Sequence, residues 1–205
     1  MIKSKFLPNM KDEGNRLFWL IFVATIPAVV IGLLLREYGM EELRSAKLIG
    51  WTITIFAILL YIADKLGMTV REIKHLTFLD AILIGFAQCM ALIPGTSRSG
   101  ITITMGRFLG MERKEAAKFS MLLSIPTIFG AGCLIGYELF QAGDMNAVID
   151  AFDGVTYSFI ASILSIYVMM WWLKSYTFLP FVIYRIALGG YLLLDSYGYL
   201  DKIAQ

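Results

Sequence analysis

Within seven residues, Pro94-Gly95-Thr96-Ser97-Arg98-Ser99-Gly100, the chain places one guanidinium, three hydroxyls and two glycines. Together these groups can hold an anion. Glycines let a ligand approach the backbone closely, and a helix starting after them points free N–H groups and its positive dipole end outward. Hydroxyls add donors, and a guanidinium matches phosphate bidentately. The stretch is not a nucleotide P-loop, since GxxxxGK[ST] and its lysine are missing. A plainer reading stays open: Thr96, Ser97 or Ser99 caps a helix beginning near Ile101, and Arg98 snorkels toward water. Against it, an arginine within a bilayer costs at least about 2.5 kcal/mol and so has a partner or a task. No acidic residue lies between Asp80 and Glu112 to pair with it. Arg185, mid-way along TFLPFVIYRIALGGYLLL (177–194), has the same two readings. It snorkels or pairs with an acid such as Glu138, or it makes a second phosphate contact beside Tyr184.

The flanks explain why these polar groups are unusual. Of the 205 residues, 58% are hydrophobic and 17% charged, with mean hydropathy +0.71; a soluble domain carries about 25% charged residues. The chain therefore reads as an all-α, polytopic membrane protein in a single domain, 1–205. Apolar runs at 17–35, 48–63, 119–140, 155–173 and 177–194, charged only at Glu138 and Arg185, are expected to span. The apolar arms of 81–106 are each too short to cross a bilayer that takes about 20 residues, so a re-entrant hairpin with the polar motif at its tip is expected. Such irregular backbone survives at depth only when buried in protein or lining a wet cavity. Lys and Arg fall in 1–16, 64–80 and 107–118, whereas 138–154 is acidic with neither. By the positive-inside rule, the basic segments face the cytoplasm, and 138–154 and the tail, 195–205, face outward.

Net charge is only +2, which gives no basic face for nucleic acid. The single histidine, His75, lies in the polar 64–80 stretch and reads as a surface residue. Cys89 and Cys133 sit in apolar runs as packing thiols. Gly106xxxGly110 and Gly132xxxGly136 suggest close helix packing. ATIPAVVIG (24–32) and LSIPTIFGAG (123–132) echo one another, a faint sign of an internal repeat.

GFAQCMALIPGTSRSGITITMGRFLGMERKEAAKFSMLLSIP (85–126) resembles the second signature region of the bacterial undecaprenyl-diphosphate phosphatases, the bacitracin-resistance proteins. The likeness extends through NRLFWLIFVATIPAVVIGLLL and FLPFVIYRIALGGYLLL. It implies an inverted-repeat helical bundle in the bacterial inner membrane, in which two hairpin tips meet at one site. It implies hydrolysis of the lipid substrate undecaprenyl diphosphate, which recycles the carrier for peptidoglycan synthesis and confers bacitracin resistance. By the same likeness Arg98 is catalytic, Gly95, Thr96, Ser97, Ser99 and Gly100 surround the phosphate, Gln88 is a polar contact, and Arg185 lies near the site. A homo-oligomer is compatible with it. The family's Glu-rich segment, of E-G-x-T-E-F-L-P type with serines and a histidine, has no counterpart in these 205 residues. Ligands for a divalent cation, Mg²⁺ or Ca²⁺, are expected there, upstream of Met1. Chain 1–205 alone is accordingly expected to bind phosphate weakly and hydrolyse little. A membrane carrier or channel for an anion or lipid phosphate is the alternative, since broken helices at the midplane also mark transporters.

Overall fold

The computed structural model describes residues 12–36, 44–67, 70–142 and 145–199. The cationic Lys3, Lys5 and Lys11 and the acidic Asp144 lie outside the described residues. Seven α-helices follow in order: α1 Glu13–Arg36, α2 Ala46–Leu66, α3 Phe78–Cys89, α4 Arg98–Phe108, α5 Arg113–Ala142, α6 Met145–Trp172 and α7 Leu179–Ser196. Among the described residues, α1, α2, α5, α6 and α7 contain windows long and apolar enough to cross a membrane. Most begin before the apolar runs do. Polar first turns, such as Glu13 in α1 and Arg113 in α5, continue the helix into the interface, where charge costs little.

α3 and α4 have 12 and 11 residues, about 18 Å and 16 Å at 1.5 Å per residue, roughly half of a 30 Å hydrocarbon core. A 3-10 turn, Met90–Leu92, carries α3 toward the tip. Both arms are anchored at one end, where α3 starts and α4 closes. Thr77 caps α3 in a reciprocal box with Asp80, and Arg71 binds Asp80 (2.6 Å) together with the Leu109 carbonyl at the close of α4 (2.8 Å). Burial alone would raise the Asp80 carboxyl, but the bonds from Arg71 and Thr77 outweigh it and hold the group below its ordinary pKa.

The same end holds most of the cationic residues of the described segments. Arg16 donates to the carbonyls of Lys74 and Leu76, and Glu115 accepts from the Ile73 amide (3.3 Å). Arg107, counted above with a basic loop, is instead fully buried on the last turn of α4. It lies 3.3 Å from Asp64 and donates to the carbonyls of Gly67 (2.8 Å), Asp64 (3.2 Å) and Met111. Arg113 closes on the same Asp64 oxygen (2.6 Å). His75 is exposed and its Nδ1 accepts from the Glu72 amide (3.1 Å). At the other end, Lys47 sits over the Tyr197 ring (4.5 Å), so the start of α2 meets the close of α7.

Two close approaches seat the hairpin and its frame. A Cβ on Gly85 would lie 2.4 Å from the Ala24 carbonyl, so α1 and α3 touch backbone to backbone. α2 and α7 meet the same way at Gly50 and Gly189, where a Cβ on Gly189 would stand 3.0 Å from the Gly50 carbonyl. Gly85→Ala is expected to cost about 1–3 kcal/mol by overpacking. The check is the thermal unfolding midpoint against Gly154→Ala, where nothing lies within 4 Å; equal midpoints would refute it. The expected packing at Gly132xxxGly136 does not form among the described residues. Both glycines face open space, because this half of α5 is exposed. Gly110 is not a packing position either: its φ of +83° makes it the turn between α4 and α5.

Candidate functional site

The hairpin tip is built by turn chemistry. Gly95 (φ +90°) and Ser97 (φ +67°) both occupy the left-handed region, which is cheap for glycine and costly for serine. The reversal lets Ser97 cap α4, its Oγ accepting the Gly100 amide (3.2 Å). The helix therefore begins at Arg98, three residues before Ile101, and Ser97 is the cap among the three hydroxyls considered. The Thr96 amide donates to the Ile93 carbonyl (3.2 Å) and the Ile101 amide to the Ser97 carbonyl (3.0 Å). The amides of Gly95, Ser97, Arg98 and Ser99 have no acceptor among the described residues.

Around this tip the expected residues divide between two cavities that share no lining residue. One, of about 560 Å³, lies between α1, α3 and α5 and contains Arg98 and Gln88. Arg98 donates to Thr127 Oγ1 (2.6 Å) and more weakly to the Ser124 carbonyl (3.4 Å). Gln88 is 3% exposed and its Nε2 has no partner, a buried donor that lacks an acceptor. The echoing segments form this cavity's walls: Ala28, Val29 and Gly32 from α1 face Pro126, Thr127 and Gly130 from α5. Its walls are otherwise apolar, with Leu33, Leu92 and Leu134.

The second cavity, of about 510 Å³, is lined by Gly95, Ser97, Ser99, Gly100 and Arg185, with Tyr184, Phe178 and Phe181 among its apolar walls. Arg185 does not snorkel or meet Glu138. Its Nη2 donates to the carbonyls of Gly95 (2.9 Å) and Thr96 (2.8 Å). Its Nη1 lies 2.6 Å from where a Gly100 Cβ would stand, so a larger residue there would displace the guanidinium. Thr96 is fully buried, lines neither cavity, and its Oγ1 has no partner.

Thr127 and Thr52 were missed by the sequence reading. Thr52 Oγ1, on α2, donates to the Pro94 carbonyl (2.7 Å). The signal that could have found them is a hydroxyl within an otherwise apolar span. Among the described residues neither cavity is lined by a carboxylate, and no three His, Cys, Asp or Glu gather to share a metal ion. Hydroxyls, an amide and two guanidinium groups do not fit Mg²⁺ or Ca²⁺, hard cations that favour carboxylate oxygens.

A family model described as "Bacitracin resistance protein BacA" matches residues 1–191. The chain is 43% identical over 194 residues to Undecaprenyl-diphosphatase 1 of Rhodospirillum rubrum, covering 94% of this chain and 69% of that protein. It is 46% identical over 185 residues to an undecaprenyl-diphosphatase of Alteromonas mediterranea (90% and 70%). To one from Dinoroseobacter shibae it is 46% identical over 191 residues (93% and 72%).

Proposed function

The chain belongs to the bacitracin resistance protein BacA family, and from that premise we propose that it hydrolyses undecaprenyl diphosphate to undecaprenyl phosphate and inorganic phosphate. The observation that carries the reading is the Arg98 cavity: a half-buried guanidinium and an unpartnered buried amide, Gln88, beside a helix start, within apolar walls. An isoprenoid chain suits the walls, and a diphosphate suits the donors. The basic end of the bundle faces the cytoplasm of the inner membrane in this reading.

In the reaction, a water oxygen bonds to the terminal phosphorus as the anhydride P–O bond breaks, and the electron pair leaves on the lipid phosphate. Water's proton passes to solvent or to the products. Phosphoryl transfer needs mainly positioning and charge stabilisation. Arg98 neutralises phosphate oxygens, and the unpartnered Gln88 Nε2 in the same cavity supplies a further donor. The donor set does not fit a divalent cation.

Phosphate release from undecaprenyl diphosphate by the protein in lipid bilayers tests the reading. With no carboxylate at either cavity among the described residues, release is expected to be slow beside the Rhodospirillum rubrum relative. Equal rates would show that guanidinium and hydroxyl groups suffice. Added Mg²⁺ or Ca²⁺ is a second arm, expected to leave the rate unchanged. Two cavities flanking one broken-helix tip also suit an anion carrier. That second reading predicts uptake of labelled diphosphate into vesicles without hydrolysis.

A further inference from the structure

We propose that Arg185 and Thr52 form a clamp on the hairpin turn, in which Nη2 of Arg185 acts on the backbone as a positioning group. The proposal rests on reading the tip as the phosphate site. Three consecutive carbonyls of the turn are gripped from outside the hairpin. Pro94 O accepts from Thr52 on α2 (2.7 Å), and Gly95 O and Thr96 O both accept from Nη2 of Arg185 on α7 (2.9 and 2.8 Å). A terminal guanidinium nitrogen carries two hydrogens. Both are used here, so this nitrogen has none left for a phosphate oxygen.

The grip has a consequence for the opposite edge of each peptide. In a planar trans peptide the carbonyl of one residue and the amide of the next point in opposite directions. Holding the 94, 95 and 96 carbonyls toward α2 and α7 therefore turns the amides of Gly95, Thr96 and Ser97 away from both helices. Ile93 takes the Thr96 amide. Those of Gly95 and Ser97 remain free and join the orphan amides of Arg98 and Ser99 at the start of α4.

The turn needs such a grip. Its two left-handed residues, one of them a serine, would relax if a peptide flipped, and a flip would reverse a donor into an acceptor. A carbonyl facing phosphate repels it. The clamp is stiff, because α2 and α7 are themselves locked at Gly50 and Gly189. Gly95 presses against Thr52 so closely that a Cβ would stand 2.3 Å from Thr52 Oγ1. Thr52 lines neither cavity, so its effect on a ligand must pass through the turn.

The test uses the whole protein in bilayers, with inorganic diphosphate as probe for binding and undecaprenyl diphosphate as substrate. Thr52→Val is expected to weaken inorganic diphosphate binding about tenfold, the size of one lost hydrogen bond, and to lower kcat/KM equally. Thr52→Ser, which keeps the hydroxyl, restores both. Arg185→Gln with Thr52→Val should lose no more than about twofold beyond the worse single variant, because both loosen one turn. A merely structural role would lower the unfolding midpoint and leave diphosphate affinity of the folded protein unchanged. Unchanged affinity in Thr52→Val, or fully additive losses, overturns the clamp. So does absence of diphosphate binding by the natural protein. Binding that follows this pattern without hydrolysis of the lipid would uphold the clamp and overturn the hydrolase reading.

Discussion

Arg98→Ala is expected to cut phosphate release from undecaprenyl diphosphate by about 10²–10³-fold, the usual loss when a donor to developing negative charge is removed from a water-poor site. Among the described residues nothing else in its cavity carries charge. Its present partners are neutral, a hydroxyl at 2.6 Å and a carbonyl at 3.4 Å, so its charge is uncompensated until an anion arrives. The same fact predicts little harm to the fold. Removing an arginine without an acidic partner leaves no opposite charge stranded, and it relieves an insertion cost of about 2.5–3.5 kcal/mol. The unfolding midpoint of Arg98→Ala should therefore stay at or above that of the natural protein while activity falls. Arg98→Lys keeps the charge but not the planar fork, and is expected to fall between. Unchanged release by Arg98→Ala at saturating substrate would remove Arg98 from the reaction.

The largest loss of stability is expected at the other end of the hairpin, in Asp64→Ala. Asp64 is 5% exposed, and one of its oxygens serves Arg107, which is fully buried, and Arg113. Deleting the carboxylate leaves a buried guanidinium with carbonyl acceptors but no counter-charge. Breaking a buried ion pair from one side costs about 3–5 kcal/mol. These contacts join the end of α2 to the ends of α4 and α5, so the variant should also loosen the hairpin base. Asp64→Ala combined with Arg107→Met removes both charges and is expected to recover part of the loss, since apolar replacement of a whole buried pair is often tolerated. Unfolding midpoints of the single and double variants give the measurement. A double variant no better than the single one would show that charge is not the cause.

Much of the fold was legible because a bilayer imposes simple demands. Apolar runs located the five long helices, and length alone identified two arms too short to cross. Helix ends were less legible. α6 begins at Met145, ten residues before its apolar run, because a helix can carry polar turns into the interface. Composition drew attention to Arg98 in the tip motif and to Arg185 within an apolar span, but their division between two cavities depends on side-chain direction around a left-handed turn. Backbone sign at Ser97 cannot be read from a serine. Arg107 was misplaced for a related reason: its partner Asp64 is 43 residues away, and a cation near other cations resembles a loop. Glycine spacing was the weakest guide, with Gly85 in true contact and Gly132 in none.

The unequal packing of α6 divides the protein's cooperativity. Residues 151–168 are exposed throughout, and burial resumes only near Leu173. The other helices, apart from the exposed second half of α5, draw stability from one another, so they open together. α6 keeps its internal hydrogen bonds but has the bilayer for a tertiary environment. Its free energy of opening is therefore a property of the surrounding lipid or detergent, and amide exchange should report it as a separate unit of low protection. A single unfolding free energy describes the hairpin and its frame, and not the whole chain.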